Sequence, residues 1–506
     1  PLPFAGRSDS KSRTNYGRGH FSAVFDPTPK HTAGFDIEYT ERSTHMPTLS
    51  RTTLGQTQSD SRYRQHMDGN TLTATANYIW KIDTLGSQFK LIADYTRYTS
   101  DGDNSYHTTT CAPGTLRDSL YESATGSVYD ILTADAGLTR KLPHGLTLRA
   151  GLRYTRNDMA DKSRYAAQTQ GTWLALPEYS YDQHYTEQIG AAYASLEYSA
   201  GRWELSAGLR GEYTSVASQA FGRSYFGLFP NVSVSRALNA LRTWLLVAQW
   251  SRNIERPAFP ALNPARIRIS DYSWQSGNPS LRPTYIHRFS LTAVWKYRYT
   301  LTVGGNLHHD LIREIAHRDA TAPDAVYIRP ENHYTENHWF VAASVPAKIT
   351  RWWNLSVNAV GVMQRIRLNS TDSPATHYLM FADATCSFTL PAGFFAEAVY
   401  RAQSRLYSGN SEVGPRHTLS ATVKKQLFGK RLTLFCTLSN ITGCDWEFAS
   451  LTDGMRRTID TGQAWSGRLW KVGAAWNFRT GKKFRARTVE SAAETQRKRL
   501  VKSTEQ

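Results

Sequence analysis

The sequence predicts an all-β protein, a large antiparallel transmembrane β-barrel. Three observations predict it. Apolar and polar residues alternate with period two through many stretches between about residues 16 and 478. The connections between these stretches are short and long in strict alternation. Trp and Tyr gather near the stretch ends. Successive side chains on a strand point to opposite faces, so this alternation gives a sheet with one apolar and one charged face. Repeated this often, the pattern suits lipid outside and water inside.

Taken in chain order, the stretches share one code. Leu72, Ala74, Ala76, Tyr78 and Trp80 oppose Thr73, Thr75 and Asn77, with Ile79 the exception. Phe89, Leu91, Ala93 and Tyr95 oppose Lys90, Asp94 and Thr96. Next, Leu146, Leu148, Ala150, Leu152 and Tyr154 alternate with Thr147, Arg149, Gly151 and Arg153. Trp203, Leu205, Ala207 and Leu209 oppose Glu204, Ser206, Arg210 and Glu212. Tyr299, Leu301, Val303 and Leu307 oppose Thr300, Thr302, Asn306 and His308. Phe394, Ala396, Ala398, Tyr400 and Ala402 oppose Glu397, Arg401, Gln403 and Arg405. A water-filled lumen accepts such charges, whereas lipid would charge roughly 2–4 kcal/mol for each Arg or Lys at its midplane.

The short connections fall at 26–31, 83–87, 142–145, 199–202, 237–241, 296–299, 346–351, 390–393 and 426–430. They are rich in Gly, Pro, Asp, Asn and Lys, as tight turns demand. The long polar segments are 42–68, 99–127, 157–182, 214–224, 253–282, 318–326, 369–375, 407–415 and 441–463. A soluble sandwich has water at both ends and no reason to alternate in this way. An outer-membrane barrel has short periplasmic turns and long extracellular loops.

About nineteen strands are expected, against the even numbers of bacterial barrels. The last one alternates Trp470, Val472, Ala474, Trp476 and Phe478. Its aromatic end reads as the signal for the barrel assembly machinery, in the periplasm. Backward counting puts residues 1–15 outside the cell, so an odd number of strands and a plug are expected upstream, in a barrel of about 22 strands. The organisation expected is a barrel over 1–478 and a basic, disordered periplasmic tail over 479–506.

Composition fits this picture. The chain has 506 residues, 40% hydrophobic and 12% aromatic. Its mean hydropathy is −0.50. No run approaches the roughly 18 apolar residues of a membrane helix, and barrel strands escape such averaging because half their positions are polar. The net charge of +18 comes largely from the tail and from lumen-parity arginines. No zinc finger, helix-turn-helix or stacking platform accompanies it, so nucleic acid is not an expected partner. Cys111, Cys386, Cys436 and Cys444 lack metal-ligand spacing. Cys386 and Cys436 are placed inside strands, Cys111 and Cys444 in loops.

One long segment carries more specific information. Ser251-Arg252-Asn253-Ile254-Glu255-Arg256-Pro257 is followed by Leu262-Asn263-Pro264, then by Ser276-Gly277-Asn278-Pro279-Ser280-Leu281-Arg282-Pro283. With Gly208-Leu209-Arg210, Glu212-Tyr213-Thr214 and Phe229-Pro230-Asn231, this series resembles the barrel domain of TonB-dependent receptors. The resemblance covers nearly the whole chain. It departs at Thr284, where the family has an acid, and at Leu438-Ser439-Asn440-Ile441, where the family has Asp-x-Phe-Asn.

The resemblance implies a receptor in the outer-membrane lipid that binds a scarce nutrient (a metal chelate, glycan or peptide) at its outer loops. Import would be driven by the TonB complex acting on a plug. The residues singled out in the signature loop are Arg252, Arg256, Pro257, Asn263, Pro264, Gly277, Asn278, Pro279 and Pro283, sealing the rim or facing ligand. Arg252 and Arg256 are positioned to bridge strands or to reach a plug. The alternatives are a passive porin or structural barrel, and a soluble all-β binding protein. No cofactor and no enzymatic activity are expected: there is no Gly-x-Ser-x-Gly elbow or phosphate loop. His308-His309-Asp310 reads as structural, because adjacent strand residues face opposite ways.

Overall fold

The computed structural model describes residues 4–219, 221–264, 266–270, 272–319, 325–452, 455–461, 467–478 and 489–500. Among these, nineteen long strands follow one another as an antiparallel meander. The first is β1 (Phe4–Ser10, continued by Arg13–Thr28); both segments pair with β2 (His31–Leu54). Then come β3 (Thr57–Lys81), β4 (Gln88–Ala112), β5 (Thr115–Leu142) and β6 (Leu146–Thr169). Next are β7 (Tyr181–Ala200), β8 (Trp203–Ser218), β9 (Gly222–Ala237) and β10 (Trp244–Glu255). The sheet continues through β11 (Thr284–Trp295), β12 (Tyr299–Arg318), β13 (Val326–Lys348), β14 (Trp353–Arg367) and β15 (Ala375–Leu390). It ends with β16 (Phe394–Gln403), β17 (Arg416–Leu427), β18 (Leu432–Ser439) and β19 (Leu469–Trp476).

All nine short connections are turns between consecutive strands, as expected. At 143–145 the chain reverses with His144 at φ 60° and Gly145 at φ 73°. Two left-handed residues in succession match the right-handed twist of the flanking strands.

The faces follow the predicted parity. On β8 the side chains of Trp203, Leu205, Ala207, Leu209 and Tyr213 are exposed on the outside, while Glu212, Thr214 and Val216 are buried inside. The ten steps from Trp203 to Tyr213 make about 34 Å of strand; at an ordinary barrel tilt that spans about 26 Å of the membrane normal, the height of the apolar band. Aromatic residues mark the periplasmic end of neighbouring strands: the Trp244 and Trp295 rings stack at 5.7 Å, and Tyr299 lies 5.1 Å from Trp295.

The long segments differ from expectation. Residues 42–68 and 99–127 are not loops: the β2–β3 ladder runs to Leu54↔Thr57 and the β4–β5 ladder to Ala112↔Thr115. The extracellular excursions are therefore tall hairpins with two-residue tips. Thr and Tyr, which favour strands, recur in them, and the buried face carries Ser59, Ser61, Tyr63, Tyr106 and Thr108 in place of aliphatic residues, so the apolar alternation that reveals a strand is lacking. Cys111 accordingly lies on β4, not in a loop. All four cysteines are free thiols, Cys436 and Cys444 included.

The core lies inside the barrel. Inward residues Tyr129 and Ile131 of β5, Met159 of β6, Tyr185 of β7 and Val216 of β8 meet Phe259, Leu262 and Leu281 of the 256–283 loop. Below this cluster, residues 489–500 lie against the inner wall, with a helical turn α2 (Glu494–Arg497). The expected disordered tail therefore does not hold for 489–500, because lumen carboxylates anchor it; 479–488 and 501–506 are outside the described residues. Among the described residues β1 pairs only with β2 and β19 only with β18, and both edges are exposed along almost all their length.

Candidate functional site

The signature loop leaves β10 at Glu255 and returns into β11 at Thr284. Pro257 breaks the ladder, and Pro260 near the start of a four-residue helix, α1 (Phe259–Leu262), suits a position whose N–H needs no partner. The helix turns Phe259 and Leu262 into the core, the Phe259 ring meeting Tyr129 edge-on at 5.7 Å.

The two halves of the signature meet. The Gly277 amide donates to the Asn263 carbonyl at 2.9 Å, and the Asn278 amide to the Ala261 carbonyl at 2.7 Å. A Cβ on Gly277 would collide with both carbonyls, so the glycine is fixed by close backbone approach. Asn263 accepts the Tyr181 hydroxyl. The Asn278 side chain caps its own turn at the Ser280 amide, 3.0 Å, and donates to the Pro330 carbonyl, 3.0 Å.

The two arginines bridge strands. Arg256 is almost completely buried and donates to Glu212 Oε2 at 2.7 Å and Thr214 Oγ1 at 2.9 Å, both on β8; Glu187 on β7 is 3.8 Å away. Arg252 donates to the Leu228 carbonyl at 3.0 Å and lies over the Phe229 and Tyr285 rings, 5.8 and 5.2 Å from their centroids. Pro264, Pro279 and Pro283 fix φ within the loop. Trp476 ends β19 and Phe478 follows two residues later, both exposed and away from this assembly.

At Thr284 the hydroxyl donates to the Asp310 carbonyl at 3.0 Å, and Asp310 takes Arg282 at 2.7 Å. The acid absent from the signature is thus supplied from β12. His308 and His309 each bond a β13 carbonyl (Glu336 and Tyr334) and share no ligand. Among the described residues no three acid, His or Cys groups are placed to hold a metal ion.

Above the loop opens a crevice of about 440 Å³ lined by Tyr179, Tyr181, Pro264, Arg266, Tyr327 and Arg329. The Arg266 guanidinium lies between Tyr179 and Trp274, 5.2 and 5.0 Å from the ring centroids, and pairs with Asp319 at 2.5 Å. Arg329 holds Glu331 at 2.6 Å. Planar cations stacked on aromatic rings attract anions and flat conjugated groups. Sequence reasoning missed this crevice, since its residues come from three connections far apart in the chain.

Comparison with known proteins agrees with the fold. The model of the outer membrane protein beta-barrel family matches residues 80–468. No curated protein matches the sequence. Among solved structures, the chain is similar to the ferric-catecholate import receptor Fiu of E. coli K12, at 9% identity, with TM-score 0.57 over 94% of this chain and 82% of that one. It is similar to the ferric yersiniabactin uptake receptor FyuA of Yersinia pestis, at 10% identity and TM-score 0.55 over 94% and 80%. The copper transporter OprC matches at 12% identity and TM-score 0.56 over 94% and 81%. These likenesses show the fold, a large antiparallel barrel.

Proposed function

This chain belongs to the outer membrane protein beta-barrel family, and from that premise we propose that it is the barrel of a TonB-dependent receptor importing an anionic metal chelate. It resides in the outer membrane, which sets aside the soluble alternative. The reading rests on one observation: Arg266, held between Tyr179 and Trp274, opens with Arg329 into a crevice at the extracellular mouth. Aromatic surface, and two guanidinium groups whose partners Asp319 and Glu331 an anionic ligand would displace, suit a chelate with catechol-like or carboxylate donors better than a neutral glycan. Barrels of the same fold include import receptors for ferric chelates and a copper transporter.

A passive porin needs an open lumen, and here Phe259, Leu262 and Leu281 fold into the mouth against the β5–β8 wall. The exposed edges of β1 and β19 support further strands between them, because an unpaired edge cannot face hydrocarbon. A plug that contacts TonB completes this reading, and with it the role of the signature residues as the rim of the binding site. Tryptophan fluorescence titrated with a ferric tris-catecholate and with a neutral oligosaccharide tests the ligand class. Saturable quenching by the chelate alone, weakened at least about tenfold in R266A, is expected for a stacked, desolvated cation. Equal responses to both ligands, or an unaffected R266A, would remove the reading.

A further inference from the structure

Charge is distributed unevenly around the periplasmic rim. Between β7 and β18 the chain reverses at 199–203, 236–244, 295–299, 346–353, 388–394 and 424–432, and these stretches hold eleven Arg and Lys and no Asp or Glu. The reversals at 26–31 and 83–87 instead contain Asp26 and Asp83, and Asp83 takes Arg140 at 3.5 Å. The unbalanced charge is therefore confined to one arc of the rim. Among the described residues none of the eleven cations forms an ion pair with a carboxylate.

Three of these cations are drawn onto the outer surface. Arg236 on β9 lies over the Trp203 ring at 4.6 Å, Lys296 over Trp295 at 4.5 Å, and Lys425 on β17 over Phe394 at 3.9 Å. Arg236 stands opposite Trp203 in the ladder and Lys425 opposite Phe394, so both share the lipid-facing parity of their rings. All three rings are about two-fifths exposed. An aromatic face attracts a cation, and Trp settles at the depth of lipid headgroups. The carboxylates of the lumen lie across the wall, out of reach of these cations. At the turn tips Leu241, Tyr297 and Phe428 are each two-thirds exposed or more. Cations and bare apolar side chains at one depth match anionic headgroups over acyl chains. A water-borne acidic polymer would match the cations alone.

We propose that this arc of the periplasmic rim is a binding surface for anionic phospholipid of the inner leaflet of the outer membrane. Arg236, Lys296 and Lys425 take the phosphodiester oxygens, and the acyl chains lie against the apolar outer face above them. Bound lipid neutralises the arc and fixes the height of the barrel in the membrane.

The test uses the full chain in phosphatidylcholine vesicles with a trace of spin-labelled phosphatidylglycerol or spin-labelled phosphatidylcholine, and reads the motionally restricted fraction of each label. Phosphatidylglycerol is expected to be preferred at least about fivefold at low salt, the factor for one cation near the surface, and less at high salt. R236Q/K296Q/K425Q keeps the rings and is expected to bring the ratio close to one. R298Q/R351Q, in the turns, should lower it, and R62Q/R64Q/R117Q, exposed on the extracellular hairpins, should leave it unchanged. A ratio near one in the parent, or one retained in both rim variants as folded protein, would overturn the proposal. Equal loss in the extracellular variant would do the same. Retention of the chain on purified peptidoglycan, with no preference among lipids, would overturn it in favour of the wall polymer.

Discussion

The Gly277 amide and the Asn263 carbonyl, 2.9 Å apart, tie the returning half of the signature loop to its outgoing half. Fourteen positions apart in sequence, they form one backbone crossing, with the Asn278–Ala261 bond beside it. The crossing seats Phe259 and Leu262 in the barrel mouth.

Gly277→Ala should therefore force the crossing apart and cost about 1–3 kcal/mol, the range for overpacking. Hydrogen exchange at the Gly277 and Asn278 amides should rise sharply while strand amides in β8 stay protected. Unchanged exchange at those two amides would show that the crossing tolerates a methyl group.

Arg256 is shared by carboxylates on two strands, and Arg256→Ala leaves Glu212 with Arg210 alone and Glu187 with Arg499 alone, so it should destabilise by less than the roughly 3–5 kcal/mol of a fully orphaned buried charge. The apolar pair R256M/E212M should recover a good part of that loss, since replacing both partners avoids the orphaned charge. Urea refolding into lipid vesicles measures both. A double variant as unstable as R256A would mean that packing, not charge, sets the cost.

The lipid face makes a sharper contrast. Leu209 lies midway between Trp203 and Tyr213 on the outside of β8, and Leu209→Arg should cost about 2–4 kcal/mol in vesicle refolding. Ser206→Arg, on the lumen parity, should stay near neutral. Equal costs would contradict the assignment of the two faces.

Glu336 governs an acid-dependent part of stability. It lies on β13 three positions beyond Trp339, toward the extracellular loops and outside the apolar band. Burial alone would raise its carboxyl; His333 at 3.5 Å, His338 at 2.8 Å and Arg313 at 2.7 Å together outweigh this and hold it well below the usual carboxylate range. A depressed carboxyl stabilises the fold above the unfolded value, about 4.3 for Glu, and loses that contribution as pH falls toward the folded value. Stability should hold from pH 7 to about 5 and decline below about 4.3. E336Q should start lower at pH 7 and show a shallower decline. An acid slope unchanged in E336Q would place it elsewhere.

Much of this molecule is legible in its sequence. Parity along Trp203 to Tyr213 fixes inside and outside, because lipid and water impose opposite demands on alternate positions. Turn chemistry places all nine periplasmic reversals. The signature series marks the loop that carries Phe259, Leu262 and Leu281 into the core. Three features lie beyond such reading. The tall hairpins, such as the one tipped at residues 113–114, bury Tyr106, Thr108 and Ser123 rather than aliphatic residues and so carry no apolar periodic signal. Residues 489–500 look like a solvated basic tail, since net charge says nothing of the buried Asp94 and Glu187 that receive them. The Arg266 crevice and the Asp310 substitute depend on contacts between distant connections.

The measurement closest to the central claim is uptake of a radio-iron-labelled ferric tris-catecholate by cells carrying the full-length protein, with and without a working TonB complex. Saturable uptake that disappears without TonB, and weakens in R266A, is the predicted result. Uptake that rises linearly with concentration and persists without TonB would contradict an energised receptor and leave a passive channel.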